Sequence, residues 1–134
     1  YNHPEVDEAA KTQYGLGNTV SLASPVLIDL ATELVDLVDA ADWALFGKNG
    51  GDSTNLAVMI SRAATGRKKI IKIRDGYHGV APWMQPEGSP GTLSSATDQV
   101  LTVEWNDLDS FEKTISDHPN EVACFISFPS FYYR

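Results

Sequence analysis

Cysteine is almost missing from this 134-residue sequence: Cys124, inside the apolar run "VACFISF", has no partner for an intrachain disulfide. A buried, reduced thiol is expected there, and the cytoplasm is the compartment expected of such a chain. Basic residues are also scarce, with 10 Lys and Arg against 18 Asp and Glu, a net charge of -8 and a pI near 4.6. That balance argues against nucleic-acid binding, because most affinity for a phosphate backbone comes from surplus cations. No apolar stretch approaches the 18 residues a membrane span needs, and no charged-then-apolar leader opens the chain, so neither a membrane nor a secretory route is expected. His3, His78 and His118 lie too far apart for metal-ligand spacing, and no Ser or Cys sits in a nucleophile elbow. No metal site and no catalytic residue is therefore assigned. The sequence opens with "YNHPEVDEAA", without an initiator Met, and ends after "FPSFYYR"; a piece of a longer protein is expected.

What is present has the profile of a globular domain, with 43% hydrophobic and 21% charged residues. Pro4 and the acidic residues after it predict a helix start, with the stop at Gly15 or Gly17. Ser24 as cap and Pro25 in the first turn open a second helix, whose Leu27, Leu30, Ala31, Leu34 and Val38 form a core-facing stripe at helical period. "DWALFGK", Asp42 to Lys48, reads as a buried strand. Leu56, Met59, Ile60 and Ala63 restore helical spacing up to Gly66, "KIIKI" and "QVLTVEW" read as strands, Asn106 caps a helix bearing Leu108, Phe111 and Ile115, and "EVACFISF" is a fourth strand. Arg67 to Arg74 holds five of the ten basic residues, read as solvated ends of a buried strand. Strands alternating with helices predict an α/β fold, a mostly parallel sheet with flanking helices. The Pro- and Gly-rich stretch Gly79 to Asp98 breaks that rhythm, as functional loops do.

Two motifs carry chemistry. Asn49, Gly50, Gly51, Asp52, Ser53 and Thr54 follow the first strand and open a helix, a place where free backbone N–H groups and the helix dipole favour an anion. The same glycines also suit a plain strand-to-helix turn, with Asp52 or Ser53 as its cap. Neither nucleotide fingerprint fits: Lys48 precedes the glycines where a Walker loop needs it after them, and the adjacent Gly50 and Gly51 break the Rossmann spacing. In "IKIRDGYHGVAPW", Tyr77 and His78 stand between glycines after the next strand, where an aromatic ring serves either packing or stacking on a flat cofactor.

Taken together, "NHPEVDEA", "GLGNTVSLASP", "DWALFGKNGGDSTNLAVMISRAATGRKKI" and "GYHGVAPW" resemble, in order and spacing, the large domain of class III pyridoxal-phosphate-dependent aminotransferases, particularly those similar to glutamate-1-semialdehyde aminomutase. The resemblance runs from His3 to about Ala123 and implies a part of a fold type I large domain over residues 1–134. It implies pyridoxal 5'-phosphate as cofactor, its phosphate held by backbone N–H groups of Asn49, Gly50 and Gly51, with Tyr77 stacking on the pyridine ring beside His78. It further implies amino-group transfer between small-molecule donors and acceptors through a Schiff base, and a homodimer in the full-length family. Two departures accompany it. Phe128 precedes Pro129 where many members have Glu-Pro, and the family's Schiff-base lysine matches none of the lysines at 11, 48, 68, 69, 72 and 113. The chain alone is therefore expected to be inactive or nearly so. The alternatives are a non-catalytic module that binds a phosphorylated small molecule or a protein, and a nucleotide-binding domain that has only the α/β rhythm behind it.

Overall fold

The computed structural model describes residues 1–18 and 21–128. It divides into two compact units, Tyr1–Leu45 and one that begins at Phe46. The first unit is two helices. Helix α1, Pro4–Leu16, starts where Pro4 needs no N–H partner and stops at Gly17, whose N–H returns to the carbonyls of Gln13 and Tyr14. Helix α2, Pro25–Leu37, follows Ser24 as the sequence predicts, although the Ser24 side chain makes no capping hydrogen bond. On the expected stripe of α2, Leu27, Leu30 and Val38 all remain exposed. The periodicity sets which residues share a face; Ala31 and Leu34 on it are half-buried, and none of the five is fully buried.

No strand forms over residues 42–48; the segment is irregular and Trp43 and Leu45 are exposed. A strand exists only through pairing, and the sheet offers this segment no hydrogen-bonded neighbour. Its end is drawn into a helix cap instead, as the Lys48 N–H donates to the Asp52 carboxylate at 3.1 Å.

The second unit is a parallel three-stranded sheet in the order β2-β1-β3. Strand β1 is Lys69–Ile73, β2 Val100–Val103 and β3 Val122–Ile126. Register pairs Ile71 with Leu101 on one side and with Phe125 on the other. Helix α3, Gly50–Thr65, lies on one face, where Val58 packs with Ile70, Trp83 and Met84. Helix α5, Leu108–Asp117, lies on the other, where Phe111 meets Ile71, Ile73 and Val103. Both faces of β1 are thus covered, as parallel strands require, and Ile70 and Ile71 are wholly buried.

Several local details differ from the sequence reading. On α3 the buried position is Val58, while Met59 and Ile60 are exposed, so the helix sits on the sheet by a face that also carries Thr54 and Asn55. Asp107 rather than Asn106 caps α5, accepting from the Ser110 N–H at 2.9 Å, because Asn106 takes a left-handed φ of 58°. Residues 79–98 are not a bare loop: they contain a 3-10 turn at Pro82–Met84 and a short helix α4 at Ser94–Thr97, and they plug the core with Trp83 and Met84. Lys72 is not a solvated strand end. It is 5% exposed, and its ammonium donates to the carbonyls of Met84 at 3.0 Å and Gln85 at 3.1 Å. Cys124 is half-buried against the Ile70 cluster.

Candidate functional site

Helix α3 begins immediately after Asn49, whose extended backbone turns the chain and whose side-chain oxygen accepts from the Asp52 N–H at 3.0 Å. Asp52 reciprocates by accepting from Lys48, so its carboxylate is engaged on the outside of the cap. This arrangement satisfies the third amide of the helix. The amides of Gly50 and Gly51 accept no such service among the described residues and remain available as donors at the positive end of the dipole.

Gly79 faces this turn. Its φ of +132° favours glycine, and a Cβ there would stand 2.8 Å from the Gly51 Cα and 2.7 Å from the Met84 sulfur. A Cβ on Gly51 would in turn meet the Asn49 side-chain oxygen at 3.2 Å and the Gly79 Cα at 3.5 Å. Glycine at 51 and 79 lets the two backbones touch. Thr54 fastens them: its hydroxyl lies 2.6 Å from the His78 carbonyl and 3.0 Å from that of Gly51.

The result is an open cavity of about 430 Å³ lined by Asn49, Gly50, Gly51, Thr54, Tyr77, His78, Gly79 and Val80. The five residues that the resemblance implies for the cofactor, Asn49, Gly50, Gly51, Tyr77 and His78, all line it, whereas Asp52 and Ser53 of the same turn do not. Tyr77 stands at its edge with 77% exposure, its ring free to lie against a ligand. His78 contributes differently from Tyr77: its side chain is 6% exposed and turned inward, stacked on Trp83 with ring centroids 6.4 Å apart and tilted against Phe128 at 5.9 Å. The Nε2 of His78 is buried and makes no hydrogen bond. Burial, reinforced by the nearby Lys72 ammonium, holds this imidazole below its ordinary pKa and keeps it neutral at pH 7. Burial likewise lowers the Lys72 pKa, opposed by Asp75.

A phosphate monoester attached to a flat ring fits these features. Two amides point from a helix start, no Asp or Glu lines the cavity, and an exposed phenol stands at its edge. Thr54, part of the turn motif, and Phe128, marked in the sequence as standing before Pro129, make contacts that the motifs did not reveal. Phe128 lies under the aromatic turn, stacked on Trp105 at 5.9 Å and so close to Gly76 that a Cβ there would come within 2.9 Å of its ring. Pro129 lies outside the described residues. Among those residues no helix is long and apolar enough to cross a membrane, and no group of three His, Cys, Asp or Glu side chains could hold a metal ion.

No protein-family profile matches the chain. It is 36% identical over 129 residues to an aminopentol aminotransferase of Sphingopyxis macrogoltabida, which covers 96% of this chain and 30% of that protein. It is 31% identical to a glutamate-1-semialdehyde 2,1-aminomutase of Methanococcus maripaludis, over 90% of this chain and 31% of that one. Among solved structures, the PLP internal aldimine form of the Sphingopyxis sp. MTA144 FumI protein superposes with a TM-score of 0.89 at 36% identity, over 96% of this chain and 31% of the other. The chain thus spans about 30% of the length of the relatives it matches. By sequence and by fold it is similar to part of the class III pyridoxal-phosphate-dependent aminotransferases, over that share of their length.

Proposed function

We propose that the cavity between Gly50 and Tyr77 binds pyridoxal 5'-phosphate and that the chain serves amino-group transfer between small-molecule donors and acceptors. The observation that carries this reading is the convergence of two free helix-start amides and an exposed tyrosine ring on one cavity. Gly50 and Gly51 would hold the phosphate, and Tyr77 would cover one face of the ring. The cofactor, when bound, supplies the electron sink for amino transfer. The chain's part is binding and orientation. None of its six lysines lines the cavity, so covalent capture of the cofactor at this place belongs to no lysine of this sequence.

The test uses pyridoxamine 5'-phosphate, which lacks an aldehyde and does not condense with surface lysines. Calorimetric titration of the 134-residue chain is expected to show binding that pyridoxamine without the phosphate does not reproduce. Gly50→Asp, whose new side chain enters open space but brings a negative charge to the cup, should abolish it. Tyr77→Ala should weaken it roughly three- to tenfold through lost stacking. Equal binding of the two ligands, or none, refutes the reading. Borohydride reduction after exposure to pyridoxal 5'-phosphate should label no single lysine stoichiometrically; one specific adduct would overturn the binding-only role.

A further inference from the structure

We propose that Thr54 is a positioning residue whose hydroxyl couples the anion-binding turn to the stacking turn, so that filling the first fixes the second. The proposal rests on the cofactor reading of the cavity. Thr54 lies on the first turn of α3, and its single hydroxyl proton has two carbonyls within reach, Gly51 at 3.0 Å and His78 at 2.6 Å. The shorter contact spans 24 residues of sequence and ends on the residue next to Tyr77. The Gly51 carbonyl is the local one, three residues back on the same helix.

The neighbouring side chain repeats the arrangement. Asn55 accepts from the Trp83 indole N–H at 2.8 Å, so consecutive residues of α3 hold both ends of the segment that runs from Tyr77 to Met84. Between those tethers the Gly51 and Gly79 backbones meet with no room for a Cβ. Tyr77 itself is mostly exposed. The hydrogen bond that ties its turn to the helix is therefore the one made by Thr54 to the adjacent carbonyl. An anion on the Gly50 and Gly51 amides rigidifies the first turn of α3, and the Thr54 hydroxyl carries that order across to Tyr77.

Hydrogen exchange with inorganic phosphate tests this on the unmodified chain, because phosphate reaches the amides without touching a ring. Saturating phosphate is expected to slow exchange at residues 77–80 as well as at 50–54. In Thr54→Val the slowing should be confined to 50–54, while Thr54→Ser, which keeps the hydroxyl, should behave as the unmodified chain. For pyridoxamine 5'-phosphate, Thr54→Val should weaken binding about five- to tenfold, the scale of one lost hydrogen bond. Tyr77→Ala should then cost less in the Thr54→Val background than alone, a non-additivity that a purely structural threonine would not produce. Phosphate protection limited to 50–54 in the unmodified chain, or additive losses in the cycle, overturns the role of Thr54 and leaves the cofactor reading intact. No response to either probe in the unmodified chain overturns both. Should Thr54→Val fail to fold, the phosphate exchange pattern and Thr54→Ser decide the matter.

Discussion

Replacing Gly79 with alanine tests the geometry on which the site depends. Two costs add. The φ of +132° belongs to a region that L residues rarely enter, and holding alanine there costs about 1–3 kcal/mol. The new Cβ would also stand 2.8 Å from the Gly51 Cα, a backbone atom that cannot swing aside, and 2.7 Å from the more yielding Met84 sulfur. Crowding of that kind costs about 1–3 kcal/mol more. The expected loss is about 2–6 kcal/mol, a large share of the 5–15 kcal/mol that holds a typical domain. Gly50→Ala is the matched control on the same cavity: its Cβ meets nothing within 4 Å, and its stability should stay within about 0.5 kcal/mol of the original. Urea unfolding followed by tryptophan fluorescence is a suitable assay, since Trp83 is buried beside Met84 and reports on this part of the core. A Gly79→Ala midpoint equal to that of the unmodified chain would refute the close approach of the two turns. A Gly50→Ala loss as large as that of Gly79→Ala would refute the claim that the cup is open at residue 50.

Two further outcomes follow from the buried polar groups. Lys72→Met keeps an apolar stem but strips the Met84 and Gln85 carbonyls of their donor, and should cost about 2–4 kcal/mol by the same urea assay; an unchanged midpoint would mean that those carbonyls find water. His78 sets a pH dependence. Its pKa is lowered in the folded chain, so the unfolded chain takes up the proton first, and stability is lost as pH falls below about 6.5, the ordinary histidine value, until the folded imidazole also protonates. His78→Phe, which can keep the packing against Trp83 and Phe128, should remove that part of the acid-side slope between pH 7 and 5. Identical slopes in the two proteins would refute the assignment.

The parallel sheet and its helices were legible because local patterns suffice for them: "KIIKI" has one reading, and Pro4, Pro25 and Gly66 punctuate helices wherever they occur. The glycine turn that opens α3 was legible for a similar reason, since adjacent glycines at a helix start leave amides unpaired within the helix whatever the tertiary context. The sequence misled where the answer depended on a partner. Residues 42–48 have strand composition but pair with none of the described strands, and the α2 stripe has the right period but no fully buried residue. On α3 the apolar residues suggested one face and the sheet took another, because Thr54 and Asn55 find hydrogen-bond partners on the sheet side and so belong there. Lys72 looked like one more cation in a basic run; only the fold of the segment after Tyr77 brings two carbonyls over its ammonium. Thr54 was legible only as part of the turn after Asn49; its reach to His78 carried no signal, since that partner is a main-chain carbonyl, which every residue possesses.

Strand β1 has both flanks taken, which leaves β3 with an unpaired outer edge among the described residues, and Phe125 on that strand is 45% exposed. An open ladder beside an aromatic side chain is a template for another strand. Chains handled at high concentration should therefore meet edge to edge, and any midpoint recorded there would contain an association free energy as well as a folding one. Dilution is the variable that separates them: the intrinsic stability of the sheet is the value reached when the midpoint no longer moves with protein concentration.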